Sequence, residues 1–123
     1  MKLCINSRDE LRVIELDEVV YLKACGNYTD FHFLDGQVKS EVAGLSVFSS
    51  LIEGVYDSAS SPFVRAGRSY IINLDYVSVI NVPKQTVQFK NSIFKVVSLP
   101  KNQCMDLKAL MFSRLNPTSS SER

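Results

Sequence analysis

The chain has 123 residues, 46% of them apolar and 22% charged, which suits one globular domain with a single hydrophobic core. No stretch approaches the roughly 18 consecutive apolar residues of a membrane span, and MKLCINSRDEL lacks the apolar segment of a secretory signal, so a cytoplasmic protein without a membrane segment is expected. The net charge of +1 conceals an asymmetry: residues 1–61 carry five Lys/Arg against ten Asp/Glu, whereas residues 62–114 carry eight against two, which suggests a side facing a polyanion.

In chain order, LRVIEL (residues 11–16) is β-branched and alternates apolar with polar residues, which predicts a half-buried strand. Leu16-Asp17-Glu18 is a charged turn, and DEVVYLKAC (17–25) predicts the next strand. YTDFHFL (28–34) sets Tyr28, Asp30 and His32 against Thr29, Phe31 and Phe33, then runs into Asp35-Gly36, a dipeptide suited to a tight hairpin. QVKSEV (37–42) returns. Within GLSVFSSLIEGVY, Leu45, Phe48, Leu51, Ile52 and Val55 recur at helical spacing and predict a short amphipathic helix. DSASSP (57–62) reads as a polar loop.

SYIINL (69–74), YVSVINV (76–82) and TVQFK (86–90) are strand material, the last two joined by Pro83-Lys84-Gln85, and NSIFKVVSL (91–99) completes another hairpin. Pro100 stands where a second helix starts, with Cys104, Leu107, Leu110 and Met111 on its apolar face and Pro117 past its end. NPTSSSER has the composition of a disordered tail. No internal repeat and no interdomain linker is visible. The expectation is a mainly β domain over residues 1–114, with a disordered tail over 115–123.

Catalytic patterns are sparse. The one histidine, His32, shares a strand face with Asp30, the arrangement of a base and its orienting carboxylate, but a solvated polar hairpin face accounts for it better. There is no GxSxG elbow and no glycine-rich phosphate loop. Cys4, Cys25 and Cys104 are odd in number and form no CxxC, so they read as free thiols rather than a disulfide framework or zinc site. No enzyme activity, cofactor, metal or small-molecule substrate is expected.

Binding patterns are stronger. In CGNYTD (25–30), Gly26 permits an unusual backbone turn and Asn27 offers an amide that both donates and accepts. In RAGRS (65–69), Arg65 and Arg68 present planar forks that can clasp guanine or a phosphate, and Gly67 allows a sharp bend.

The order VVYLKACGNYTDFHFLDG, a short helix, FVRAGRSYIINLDYVSVI, then VVSLPKNQCMDLKAL resembles the LytTR family of bacterial DNA-binding domains over residues 3 to about 114. The Gly-Asn-Tyr-Thr and Arg-Ser-Tyr-Ile-Ile-Asn blocks carry the likeness. It implies an elongated, mostly β fold of about ten short strands, with a short middle helix and a C-terminal helix. It also implies loops inserted into major grooves, in an output domain of two-component transcriptional regulators. Carried over by position, Asn27, Tyr28 and Thr29 form one DNA-facing element, Arg65, Arg68 and Ser69 a second, and Ser98, Lys101 and Asn102 a third. Tyr70 and Asn73 fit as scaffold, the tyrosine packing inward and the asparagine capping a turn. Gly67 stands where many members carry histidine, and Leu99-Pro100 where the family often has a polar residue. Members commonly carry a receiver or a membrane segment ahead of this domain; these residues contain neither.

The partner expected on this reading is double-stranded DNA, bound by two copies on repeated half-sites, with a homodimer on DNA. A protein-interaction module that has lost or weakened DNA binding is the alternative. An RNA-binding sheet would need Tyr28, Phe31 and Phe33 exposed together.

Overall fold

The computed structural model describes residues 1–57, 60–90 and 96–116, which fall into two compact units, Met1–Asn73 and Leu74–Arg123. Ten strands and two α-helices make the described residues mainly β.

In the first unit, β1 (Lys2–Asn6) and β2 (Leu11–Glu15) form an antiparallel hairpin. Strand β1 carries little signal in the sequence. Its signal is only the inward pair Leu3 and Ile5 between polar neighbours. Five further strands form an antiparallel sheet: β3 (Val19–Cys25), β4 (Tyr28–Phe33), β5 (Val38–Glu41), β6 (Phe63–Ala66) and β7 (Tyr70–Asn73), in the spatial order β5-β4-β3-β7-β6. The central strand β3 holds the buried run Val19 to Leu22, as expected of a strand with neighbours on both edges. Between β4 and β5, Phe33 N–H donates to the Gln37 carbonyl at 2.9 Å and Gly36 takes φ +89°, so Asp35-Gly36 closes a three-residue loop rather than a two-residue turn.

Helix α1 (Leu45–Val55) buries Leu45, Phe48 and Ile52 against Leu22, Phe31 and Ile71 of the sheet. The Phe31 and Phe48 rings meet edge to face at 5.0 Å. Burying a side chain of this kind stabilises by about 1.5–3 kcal/mol. Leu51, expected on the buried face, is exposed. At about 100° per residue it sits roughly 80° from the middle of the packed stripe, at its margin.

The second unit contains β8 (Val77–Asn81), β9 (Thr86–Phe89) and β10 (Val97–Ser98), in the order β10-β9-β8, with α2 (Lys101–Leu115) packed against β8. Of NSIFKVVSL, only Val97 and Ser98 form a strand, while residues 91–95 lie outside the described residues. Pro100 is the N-cap of α2. Cys104 and Leu107 are buried, and Leu110 and Met111 are half-buried, as the spacing predicts. The helix runs to Leu115, one residue into the segment read as tail; residues 117–123 lie outside the described residues.

A short internal repetition escaped the sequence reading. Leu16-Asp17-Glu18-Val19 and Leu74-Asp75-Tyr76-Val77 each form a 3-10 turn leading into a strand. Each strand then carries a register irregularity, at Val19/Tyr21 and at Val77/Val79. Among the described residues, no helix is long and apolar enough to cross a membrane.

Candidate nucleic-acid interface

The Gly26-Asn27 dipeptide closes the β3–β4 hairpin between the paired residues Cys25 and Tyr28. Gly26 takes φ +60° whereas Asn27 does not enter the positive region, the pattern of a type II′ turn with glycine first. Asn27 and Tyr28 are exposed at the tip.

Gly67, Arg68 and Ser69 close the β6–β7 hairpin between paired Ala66 and Tyr70, with Gly67 at φ +68°. Arg65 belongs to β6, so the loop read from the sequence as 65–69 is two residues shorter. Its guanidinium folds onto its own turn: Nε donates to the Gly67 carbonyl at 3.2 Å and Nη2 to the Arg68 carbonyl at 3.4 Å. Arg65, itself exposed, therefore braces the turn. Arg68 is exposed. Among the described residues, neither arginine is in an ion pair.

The two turns lie at one end of the sheet. Lys23 of β3 is in register with Tyr70 of β7, and Ala24 N–H donates to the Ser69 carbonyl at 2.8 Å. A backbone bond thus locks one turn beside the other, and Asn27, Tyr28, Arg68 and Ser69 are exposed on the resulting ridge. Lys23, an exposed cation near that end, was not among the residues singled out from the sequence, where a lysine inside a strand gives no distinguishing signal.

One residue expected to face DNA does not. Thr29 is fully buried, and its hydroxyl donates to the Ala43 carbonyl at 2.8 Å, pinning β4 to the segment before α1. It has no surface to present to a ligand. Strand alternation puts it on the inward side with Phe31 and Phe33, both also buried, which removes the aromatic set an RNA-binding sheet would need. Asn73 is scaffold: it is buried and its amide donates to the Val19 carbonyl at 2.8 Å, tying β7 to the start of β3. Tyr70 is half-buried beside Tyr21, the ring centroids 6.0 Å apart.

In the second unit, Ser98, Lys101 and Asn102 are exposed where β10 passes into α2. Between them Leu99 is buried, its N–H donating to the Gln85 carbonyl at 3.0 Å, so the apolar residue in this segment serves packing. The first turn of α2 has no acidic residue and no side-chain cap. Lys101 therefore opposes the helix dipole, a placement that an approaching anion relieves.

His32 is half-buried rather than freely solvated. Its ring stacks on Tyr21 at 4.2 Å and 14°, and Nε2 is buried without a hydrogen-bond partner. Burial pushes its pKa below the usual histidine value, against a smaller raising effect of Asp30. Asp30 instead accepts the Ser40 hydroxyl at 2.5 Å. A base oriented by a carboxylate is therefore not assembled. Among the described residues, no group of three or more His, Cys, Asp or Glu could hold a metal ion.

The family model of the LytTr DNA-binding domain matches residues 9–111. A solved structure of the LytTr DNA-binding domain of a methyl-accepting/DNA response regulator from Bacillus cereus has the same fold. The TM-score is 0.62 at 17% sequence identity, covering 89% of this chain and 95% of that one. No curated protein matches the chain.

Proposed function

Because the chain belongs to the LytTr family of DNA-binding domains, we propose that it binds duplex DNA sequence-specifically through the ridge at the end of the five-stranded sheet and serves as a cytoplasmic transcriptional regulator. The observation that carries this reading is the bonded pair of turns, with Asn27 and Arg68 exposed and Arg68 free of any ion pair among the described residues.

Neighbouring strands lie about 4.8 Å apart, so the centres of the two turns, two spacings from each other, are separated by roughly 10 Å. At about 3.4 Å per base pair, that is close to three steps along DNA. The ridge lies along a major groove, with Arg68 forked onto a guanine edge and Asn27 facing a base about three pairs away. Lys101, with Ser98 and Asn102, contacts phosphates and sets register without reading sequence. Tyr28 and Ser69 contact the backbone flanking the groove. Arg65 acts through the turn it braces, and Gly67 lets the backbone take φ +68° without strain. One domain covers few base pairs, so two copies occupy repeated half-sites.

Selection of bound duplexes from a random pool tests the reading. The expected result is an enriched motif whose two strongest positions lie about three base pairs apart. Failure to enrich any duplex at low salt would overturn it in favour of a protein-interaction role.

A further inference from the structure

Lys23 stands on β3, the central strand, between the strands that carry the two exposed turns. It is in register with Asp30 of β4 on one side and Tyr70 of β7 on the other. In the adjoining row Leu22 is in register with Phe31 and Ile71, and all three pack on the α1 side. Strand alternation therefore puts Lys23 on the opposite face of the sheet, together with Cys25 and Tyr28, one row nearer the tip. All three residues are exposed.

A carboxylate directly opposite a lysine on a neighbouring strand is its natural ion-pair partner. Asp30 is turned the other way: it accepts the Ser40 hydroxyl of β5 at 2.5 Å, and no ion pair among the described residues involves Lys23. Depth decides what this cation meets. At about 3.4 Å per residue, Lys23 lies roughly 7 Å behind Cys25, the last strand residue before the turn. The major groove is about 8.5 Å deep, so when the turn touches base edges Lys23 is level with the phosphate rim and not with the bases. The α1 face offers no equivalent. There Ala24 is in register with Thr29 and Thr29 with Glu41, and Arg12, which is bonded to Glu41, is also held by Glu10.

We propose that Lys23 holds a single phosphate on the wall of the groove that faces away from α1. The inference rests on the DNA-binding reading and adds to it the way the ridge sits: the sheet face bearing Lys23, Cys25 and Tyr28 is turned toward one backbone strand. Lys23 neutralises charge and sets the ridge in place, while Asn27 and Arg68 read the bases.

The test titrates the full chain, Lys23→Gln and Lys23→Arg onto the selected duplex and onto random duplex at several salt concentrations. Lys23→Gln should lower the slope of log affinity against log salt by about 1 on both duplexes, so its deficit against the native chain narrows about tenfold for each tenfold rise in salt. Lys23→Arg keeps the charge and should keep the native slope. The position is exposed, and thermal melts check that both variants are folded. Selected duplexes carrying one uncharged methylphosphonate linkage at a time then locate the contact. One linkage should weaken the native chain and leave Lys23→Gln unaffected. A native slope in Lys23→Gln, or equal sensitivity of the two proteins at every linkage, overturns the inference and leaves the DNA reading standing. If the native chain binds no duplex at low salt, the DNA reading fails and the inference falls with it.

Discussion

The main-chain N–H of Ala24 and the main-chain carbonyl of Ser69 are 2.8 Å apart, and this bond sets the turn carrying Asn27 beside the turn carrying Arg68. Neither turn needs a helix to reach a ligand. Each is a tight reversal whose strands are anchored in the sheet, with β3 and β7 adjacent at its centre. The positions of the two side chains are therefore fixed by strand register, which makes them separable from the residues that stabilise the fold.

Thr29→Val should demonstrate that separation. The substitution removes the hydroxyl bonded to the Ala43 carbonyl and leaves that part-buried acceptor without its donor, a loss of about 0.5–1.5 kcal/mol. Urea denaturation should show this destabilisation, while DNA affinity per folded molecule is unchanged. A DNA-contacting threonine would give the opposite pattern.

Gly26→Ala should act through the backbone alone. A Cβ at this position meets nothing within 4 Å, yet φ is +60°, where an L side chain is strained by roughly 1–2 kcal/mol. Gly26→Asn should cost less, because asparagine tolerates this region better than alanine. Thermal melts of the two variants check the order, and DNA affinity should fall with the strain because Asn27 follows directly.

His32 gives a pH dependence of known sign. Its folded pKa is depressed by burial, so the unfolded chain takes up a proton more readily. The contribution is fully present above the unfolded value of about 6.5 and is lost as pH falls from there through the depressed folded value. Denaturation midpoints should therefore decline with acidification in that window, before carboxylates such as Glu15, held low by Lys2, begin to titrate. His32→Phe, which can keep the stack on Tyr21, should flatten the decline.

Much of this was legible in the sequence because local rules govern it. The glycines at φ +60°, +89° and +68° are where turn chemistry demands them, and the spacing of Leu45, Phe48 and Ile52 gave α1. For Thr29 the local pattern and the family likeness point opposite ways: alternation with Phe31 and Phe33 assigns it to the interior, and the structure buries it there. Other features had no local signal. The pairing of β3 with β7 joins residues nearly fifty apart, and no window of sequence states which strands become neighbours. Arg65 as a brace depends on one side-chain conformation that folds the guanidinium onto carbonyls of Gly67 and Arg68.

Lys101→Ala should weaken binding to every duplex alike. A lost phosphate contact reduces the slope of log affinity against log salt by about 1 and leaves the ratio of specific to random binding unchanged. Titrations at several salt concentrations, on the selected site and on random duplex, check both halves of this expectation.

The most direct test of the account is Arg68→Ala, measured on the selected site and on random duplex at one salt concentration. A fork that reads a base edge predicts a discriminating loss of about 1–3 kcal/mol on the selected site beyond any loss on random DNA, concentrated at one base position. Equal losses on both duplexes would show that Arg68 only neutralises phosphate and would contradict the assignment of base reading to this ridge.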